Sequence, residues 1–296
     1  MTRLFCLILL FTVGCSKSCA PKESTAPLAT SKPQVTEFNA VSLEGLNAQQ
    51  QTQFIKLVND EICPCNCPMS FAACIQDEDT CKPAVILAQW IIERLKEQVP
   101  MEMMAPALSQ EINSGFSANP QIIDIADYSV KGAANAPFTL IEFADFECVH
   151  CKQTAQFIEQ FIAKHPEVRF IYKHFPSSVH PQAKQASIAA EAAGEQGKFW
   201  EMHHALFGSI RPLTDHQIES LAKKWKLNMP RFKADMNKSS VQERVESSIK
   251  EAAQLGIAGT PALFFNGRPY HLSSDLLGLE LRLAMEKARS QQTCQK

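Results

Sequence analysis

The sequence predicts an α/β protein: a parallel strand–helix–strand unit, a helical insertion, then a closing β-hairpin and helix, all behind a small cysteine-rich helical hairpin. Three observations predict it. Two strand-like runs flank a helical pattern between residues 138 and 175. Residues 181–255 then carry helical periodicity and no strand. Finally, Asn266-Gly267, a pair suited to the positive φ angles of a tight hairpin, divides two more extended runs. A chain of 296 residues suffices for one large domain or two smaller ones. Its 45% hydrophobic and 20% charged residues are ordinary for a globular protein. A net charge of -2 gives no reason to expect nucleic acid or an anionic membrane surface as partner.

The N-terminus reads as a targeting segment. A basic start, Met1-Thr2-Arg3, precedes the apolar run Leu4 to Val13. That run is too short for a bilayer, which needs about 20 residues, and fits the core of a secretory signal. Thr12-Val13-Gly14-Cys15 resembles a bacterial lipoprotein box, in which Cys15 is lipidated; Thr12 stands where leucine is usual. A plain cleaved signal that discards Cys15 is the alternative. Either way the expected location is the bacterial envelope or periplasm, where disulfides persist, with a lipid anchor as the sole membrane contact. Residues 16–44 are expected to form a flexible tether, since Ser16 to Pro33 is rich in Ser, Thr, Ala, Lys and Pro.

Residues 45–118 read as a cysteine-rich helical segment and linker. Phe54, Ile55, Leu57 and Val58 predict one helix over about 47–60. Pro83 opens a second, to about Gln98, with a wide apolar arc from Val85 to Leu95. Between them lie Cys63, Cys65, Cys67, Cys74 and Cys81. Two disulfides and one free thiol allow fifteen arrangements, and sequence does not choose among them. Disulfide stapling, zinc or copper(I) binding, and a redox relay are the three readings. Residues 100–120 read as a linker with some helix.

The larger domain is expected over 119–296. Ile122–Ile125 is a short strand candidate, and Phe138–Ala144 a stronger one. A helix follows with Ala155, Phe157, Ile158, Phe161 and Ile162 on one face, then the strand Val168 to Phe175. That order argues for a parallel βαβ unit. The insertion spans about 177–255. Pro261–Phe265 and Arg268–Leu272 form the hairpin, and Asp275 caps a last helix to about Arg289. This is the thioredoxin-like topology with an inserted helical domain.

Cys148-Val149-His150-Cys151 sits where the first strand gives way to the helix. A structural metal site needs a second ligand pair, and the chain has no other CxxC. A structural disulfide in so tight a loop constrains little of the unfolded chain. Redox chemistry fits better: Cys148 falls at a helix N-terminus inside a βαβ unit, where backbone N–H groups favour a thiolate. Cys148 is then the attacking thiol and Cys151 resolves. His150 either tunes the thiolate by hydrogen bond or charge, or is an exposed turn residue. Glu142 lies mid-strand six residues earlier. Buried, it has a raised pKa and can take the Cys151 proton; on an edge strand it faces solvent. Asp145 and Glu147 read as solvated, and Lys173 and His174 as possible neighbours of the site. Cys19 and Cys294 receive no role.

Three stretches together resemble the DsbA-like thiol–disulfide oxidoreductases of bacterial envelopes: FADFECVHCK at 143–152, the helical run 180–207, and GTPALFFNGR at 259–268. The likeness covers about 120–290. It implies a cis Thr260-Pro261 bond beside the cysteines and a substrate groove formed by Val149, Thr260 and Pro261. It also implies an acidic proton relay at Glu142, reduced or disulfide-bonded exported proteins as substrates, a membrane redox partner, and no cofactor or metal. Val149 departs from the family's usual proline, and the segment 45–100 lies outside its catalytic domain. The competing reading is a non-enzymatic metal- or partner-binding protein on the same scaffold, using the N-terminal cysteines.

Overall fold

The computed structural model describes residues 34–76 and 79–289. The expected signal, Cys15, Cys19, most of the tether and Cys294 lie outside the described residues. Among the described residues four helices come first: α1 (Ala48–Asp60), α2 (Phe71–Cys74), α3 (Lys82–Lys96) and α4 (Met101–Gln110). The capping box of Asn47 and Gln50 starts α1 by satisfying two otherwise orphan N–H groups. Pro83 sits in the first turn of α3, where its missing N–H costs nothing. The expected linker is mostly helix, because α4 runs directly into the π-helical turn Glu111–Phe116.

The expected tether ends earlier than its composition suggested. Val35 and Asn59 exchange two hydrogen bonds, and Ala40 N–H donates to the Ile75 carbonyl. Val41 and Leu46 are buried, so residues 35–44 are anchored by apolar contacts that a composition reading passes over.

Two disulfides staple the corner between α1 and α3, Cys63–Cys74 and Cys65–Cys81. Cys67 is also disulfide-bonded, so the expected free thiol is not found among these five. Closing the 11-residue separation of Cys63 and Cys74 is worth about 3 kcal/mol through the unfolded chain's lost entropy. A Cys63→Ala/Cys74→Ala variant is therefore expected to unfold with its stability lowered by roughly that amount in guanidinium titration.

The sheet has five strands in the order β1-β3-β2-β4-β5: β1 (Val130–Lys131), β2 (Phe138–Ala144), β3 (Val168–His174), β4 (Ala262–Phe265) and β5 (Arg268–Tyr270). The central β2 pairs in parallel with β3 and antiparallel with β4. Helix α5 (Val149–Lys164) makes the crossover between β2 and β3. Ile122–Ile125, expected to be a strand, has no regular secondary structure and lies outside the ladder, and Ile122 is almost fully exposed. Four residues are too few to separate a strand from an irregular segment, and the edge place is taken by β1. Asn266 and Gly267 turn the β4–β5 hairpin at φ 49° and 76°. A Cβ on Gly267 would also lie 2.4 Å from the Gln121 carbonyl.

Five helices fill the insertion: α6 (Ala183–Gly194), α7 (Phe199–Gly208), α8 (Asp215–Lys224), α9 (Met229–Met236) and α10 (Ser239–Gln254). The last helix, α11 (Leu276–Arg289), has the Asp275 carboxylate accepting from Gly278 N–H. Along β2, side chains alternate faces. Leu140 and Ala144 join the main core with Phe161, Ile162 and Phe265. Ile141 and Phe143 join a smaller core with Tyr128, Ile171 and Phe264. Helix α11 packs on both α5 and α3, which ties the cysteine-rich helices to the sheet. The ion pair of Glu111 and Arg282, both wholly buried, reinforces that seam.

Candidate active site

The two free cysteines among the described residues, Cys148 and Cys151, stand where β2 hands over to α5. Cys148 is the N-cap of α5, its sulfur accepting from the Cys151 N–H at 3.4 Å. In its thiol form Cys148 can donate to the Thr260 carbonyl at 3.5 Å. The Thr260–Pro261 bond is cis, as the resemblance implied. Cys148 is 7% exposed and Cys151 is fully buried.

The two thiols are electrostatic opposites. A hydrogen bond from the Cys151 thiol, aided by the backbone N–H groups of Cys151 and His150, outweighs burial and lowers Cys148 to about 5. Burial pushes Cys151 far up, and the hydrogen bond it gives to Cys148 adds to the rise. Glu142 lies beneath them. It projects from the central strand on the same face as Leu140 and Ala144, is wholly buried, and neither carboxylate oxygen has a hydrogen-bond partner. Burial first, and then the Cys148 charge, raise it to about 8. The solvent-facing alternative for Glu142 is thereby removed, since β2 is flanked on both sides.

His150 and Val149 are exposed on the first turn of α5. His150, Gln153, Phe157, Pro261, Ser273 and Asp275 line an open cleft of about 350 Å³. Lys173 does not reach the site: it faces the smaller core, where it pairs with Glu251 at 2.5 Å and lies over the Tyr128 ring. His174 is buried against Glu191 at 2.8 Å, with its ring 6.1 Å from that of Phe146.

Asp145 and Glu147 correct the sequence reading. Both are buried, 0% and 6% exposed, and both accept hydrogen bonds from backbone N–H groups. Apart from the local Glu147 N–H, these donors lie in the insertion, more than thirty residues away in sequence, so a local reading saw only charged loop residues. His180 and His203 were not singled out either. His180 is bonded to Asp145, while His203 packs its ring against Phe146 and Tyr172.

A family model described as Thioredoxin matches residues 126–280, just over half of the chain. The chain belongs to the thioredoxin family. The thioredoxin-like oxidoreductase from Silicibacter pomeroyi DSS-3 shares 25% identity and a TM-score of 0.51, over 56% of this chain and 94% of that one. The thiol-disulfide exchange protein alpha-DsbA2 from Wolbachia pipientis shares the fold at 22% identity and a TM-score of 0.50, over 62% and 94% of the two chains. The expected DsbA-like thioredoxin fold is thus borne out. Among curated relatives, the Na(+)/H(+) antiporter NhaA 1 of Salinispora arenicola is 31% identical over 194 residues, which is 65% of this chain and 30% of that protein. NhaA 3 of Salinispora tropica is 33% identical over 193 residues, 62% of this chain and 28% of its own length. The chain therefore spans about 30% of the curated relatives it matches. Among the described residues, no helix is long and apolar enough to cross a membrane.

Proposed function

We propose that this protein is a thiol–disulfide oxidoreductase of the bacterial envelope that donates its Cys148–Cys151 disulfide to exported proteins. The observation that carries the reading is the asymmetry of the two thiols over a buried carboxylate. In the donor direction a substrate thiolate attacks Cys148 Sγ, the Cys148–Cys151 bond breaks, and Cys151 leaves with the electron pair. Glu142, protonated near neutrality, supplies the proton that Cys151 holds so firmly. A second substrate thiolate then attacks the substrate sulfur of the mixed disulfide, and Cys148 leaves as a thiolate. The substrate is oxidised by two electrons and the cysteine pair is reduced by two. A membrane redox partner would take those electrons back, and no further cofactor is needed. Val149, Thr260, Pro261 and the cleft beside His150 would hold the substrate strand.

Magnitudes favour donation over reduction. A thiol moved from 9.0 to about 5 is almost wholly ionised at pH 7, a gain of about a hundredfold in thiolate. Its intrinsic nucleophilicity falls by a nearly equal factor, because the Brønsted slope is about 0.4–0.5. Attack gains little, whereas departure of Cys148 gains in full. The same ionisation stabilises the reduced pair by about 2.5 to 3 kcal/mol, which makes its disulfide about 60 mV more oxidising. The rival metal-binding reading needs thiolates in the N-terminal cluster, and Cys63, Cys65, Cys74 and Cys81 are consumed in disulfides.

Equilibration of the Cys148–Cys151 pair with glutathione tests the direction. A reduction potential toward about -120 mV is expected, and one near about -270 mV would make the protein a reductant instead.

A further inference from the structure

The three residues that lead into Cys148 are all buried, and each is held from a different side. Phe146 stacks on Tyr172 of β3 at 4.9 Å. Asp145 Oδ1 accepts from Glu147 N–H at 2.7 Å, closing a tight local turn. Asp145 Oδ2 accepts from Ser177 N–H at 2.8 Å and lies 2.7 Å from His180 Nδ1. Glu147 reaches two separate points of the insertion: Oε2 accepts from Gln182 N–H at 2.8 Å, and Oε1 from Leu213 N–H at 2.8 Å. Gln182 is the N-cap of α6, whose end has no side-chain cap of its own, so the Glu147 carboxylate supplies the negative group that end favours. Leu213 directly precedes Thr214, the N-cap of α8.

We propose that Asp145 and Glu147 are positioning residues: their carboxylates fasten the turn carrying Cys148 to the inserted helices and so hold its sulfur over the first amides of α5. The inference rests on the redox reading of Cys148, and it gives the helical insertion a part in the chemistry. Cys148 N–H donates to the Asp145 carbonyl at 3.1 Å, so a turn released from the insertion carries the nucleophile with it. The bond from Cys151 N–H to the Cys148 sulfur, 3.4 Å long, is one that such a shift weakens.

Position and charge predict opposite signs, which makes the test decisive. Asp145→Asn and Glu147→Gln keep shape but place an amide NH₂ against one of two N–H donors, so one bond is lost in each. Charge alone would make the thiolate easier to form, because a nearby negative group is gone. Loss of position makes it harder. The measurement is the pH midpoint of iodoacetamide alkylation at Cys148, read by mass spectrometry on the full chain with the pair reduced. A rise of about one unit, a tenfold lower ionisation constant, is expected for both variants, and a smaller rise for His180→Ala, which deletes one partner of Asp145 and leaves both carboxylates. An unchanged or lowered midpoint overturns the proposal. If Asp145→Asn and Glu147→Gln show no cooperative melting, Glu147→Asp decides by the same sign, because it keeps the charge and shortens the reach to the Gln182 and Leu213 N–H groups, so that a rise comes from position. The midpoint is readable whether or not the protein exchanges disulfides. Wild-type chain that fails to oxidise a reduced protein substrate would sink the activity reading and leave this one standing.

Discussion

Cys148→Ser is expected to abolish disulfide transfer to a reduced protein, and Cys151→Ser to leave the protein trapped as a mixed disulfide with its substrate. The two variants differ because the two sulfurs differ in access and ionisation. Cys148 is the partly exposed member and titrates near 5, whereas Cys151 is sealed behind it with a far higher pKa. A serine at 148 removes both the atom that receives a substrate thiolate and the good leaving group, so the rate should drop to the uncatalysed background. With serine at 151, Cys148 still exchanges with a substrate disulfide, and the adduct has no internal thiol to release it. Alkylation of the wild-type reduced protein should show a midpoint near pH 5 for Cys148 and none for Cys151 within the pH range where the fold survives. Residual transfer by Cys148→Ser at a wild-type rate would falsify the mechanism outright.

Much of this site was legible because its parts are local. The helix N-cap at Cys148 follows from a strand-to-helix change of period within ten residues of sequence. The hairpin at Asn266-Gly267 follows from two residues that tolerate positive φ. Glu142 was legible as an anomaly, a carboxylate within an otherwise apolar strand. The fold decided its surroundings: β2 is not an edge strand, and the face that Glu142 shares with Leu140 and Ala144 is covered by the main core. What the sequence hid was long-range. Asp145 and Glu147 look like any charged loop residues until the insertion folds back and presents Ser177, Gln182 and Leu213 as donors. The cysteine pairing of the N-terminal corner was hidden for a related reason: spacing alone leaves many pairings, and the packing of α2 against α1 and α3 selects among them.

Glu142→Gln is expected to make the reduced protein more stable at neutral and higher pH, and a slower disulfide donor. The stability effect follows from linkage. The folded pKa of Glu142 is about 8 against an unfolded 4.5, so between those values the unfolded chain has released a proton that the folded one keeps. Stability associated with this group is fully present below pH 4.5 and is lost as pH rises through 8. At pH 7 the loss is on the order of 3 kcal/mol, and glutamine, which cannot ionise, escapes it. Cys148 has the opposite sign: its depressed pKa adds stability between about 5 and 9, so the two groups oppose each other across neutrality. Subtracting the variant's pH profile from the wild type's removes the Cys148 contribution, which both share, and leaves a difference that widens from pH 4.5 to 8. Guanidinium titrations of both proteins at several pH values in that window measure it. The kinetic effect follows from the proton. Cys151 leaves as a thiol only if something protonates it, and Glu142 is wholly buried with no competing hydrogen bond to the protein. Without that donor the first transfer step should slow by about a hundredfold at pH 7. A variant that gains stability with unchanged kinetics would make Glu142 a buried charge without a relay role. A variant that changes neither would place its carboxyl in contact with water.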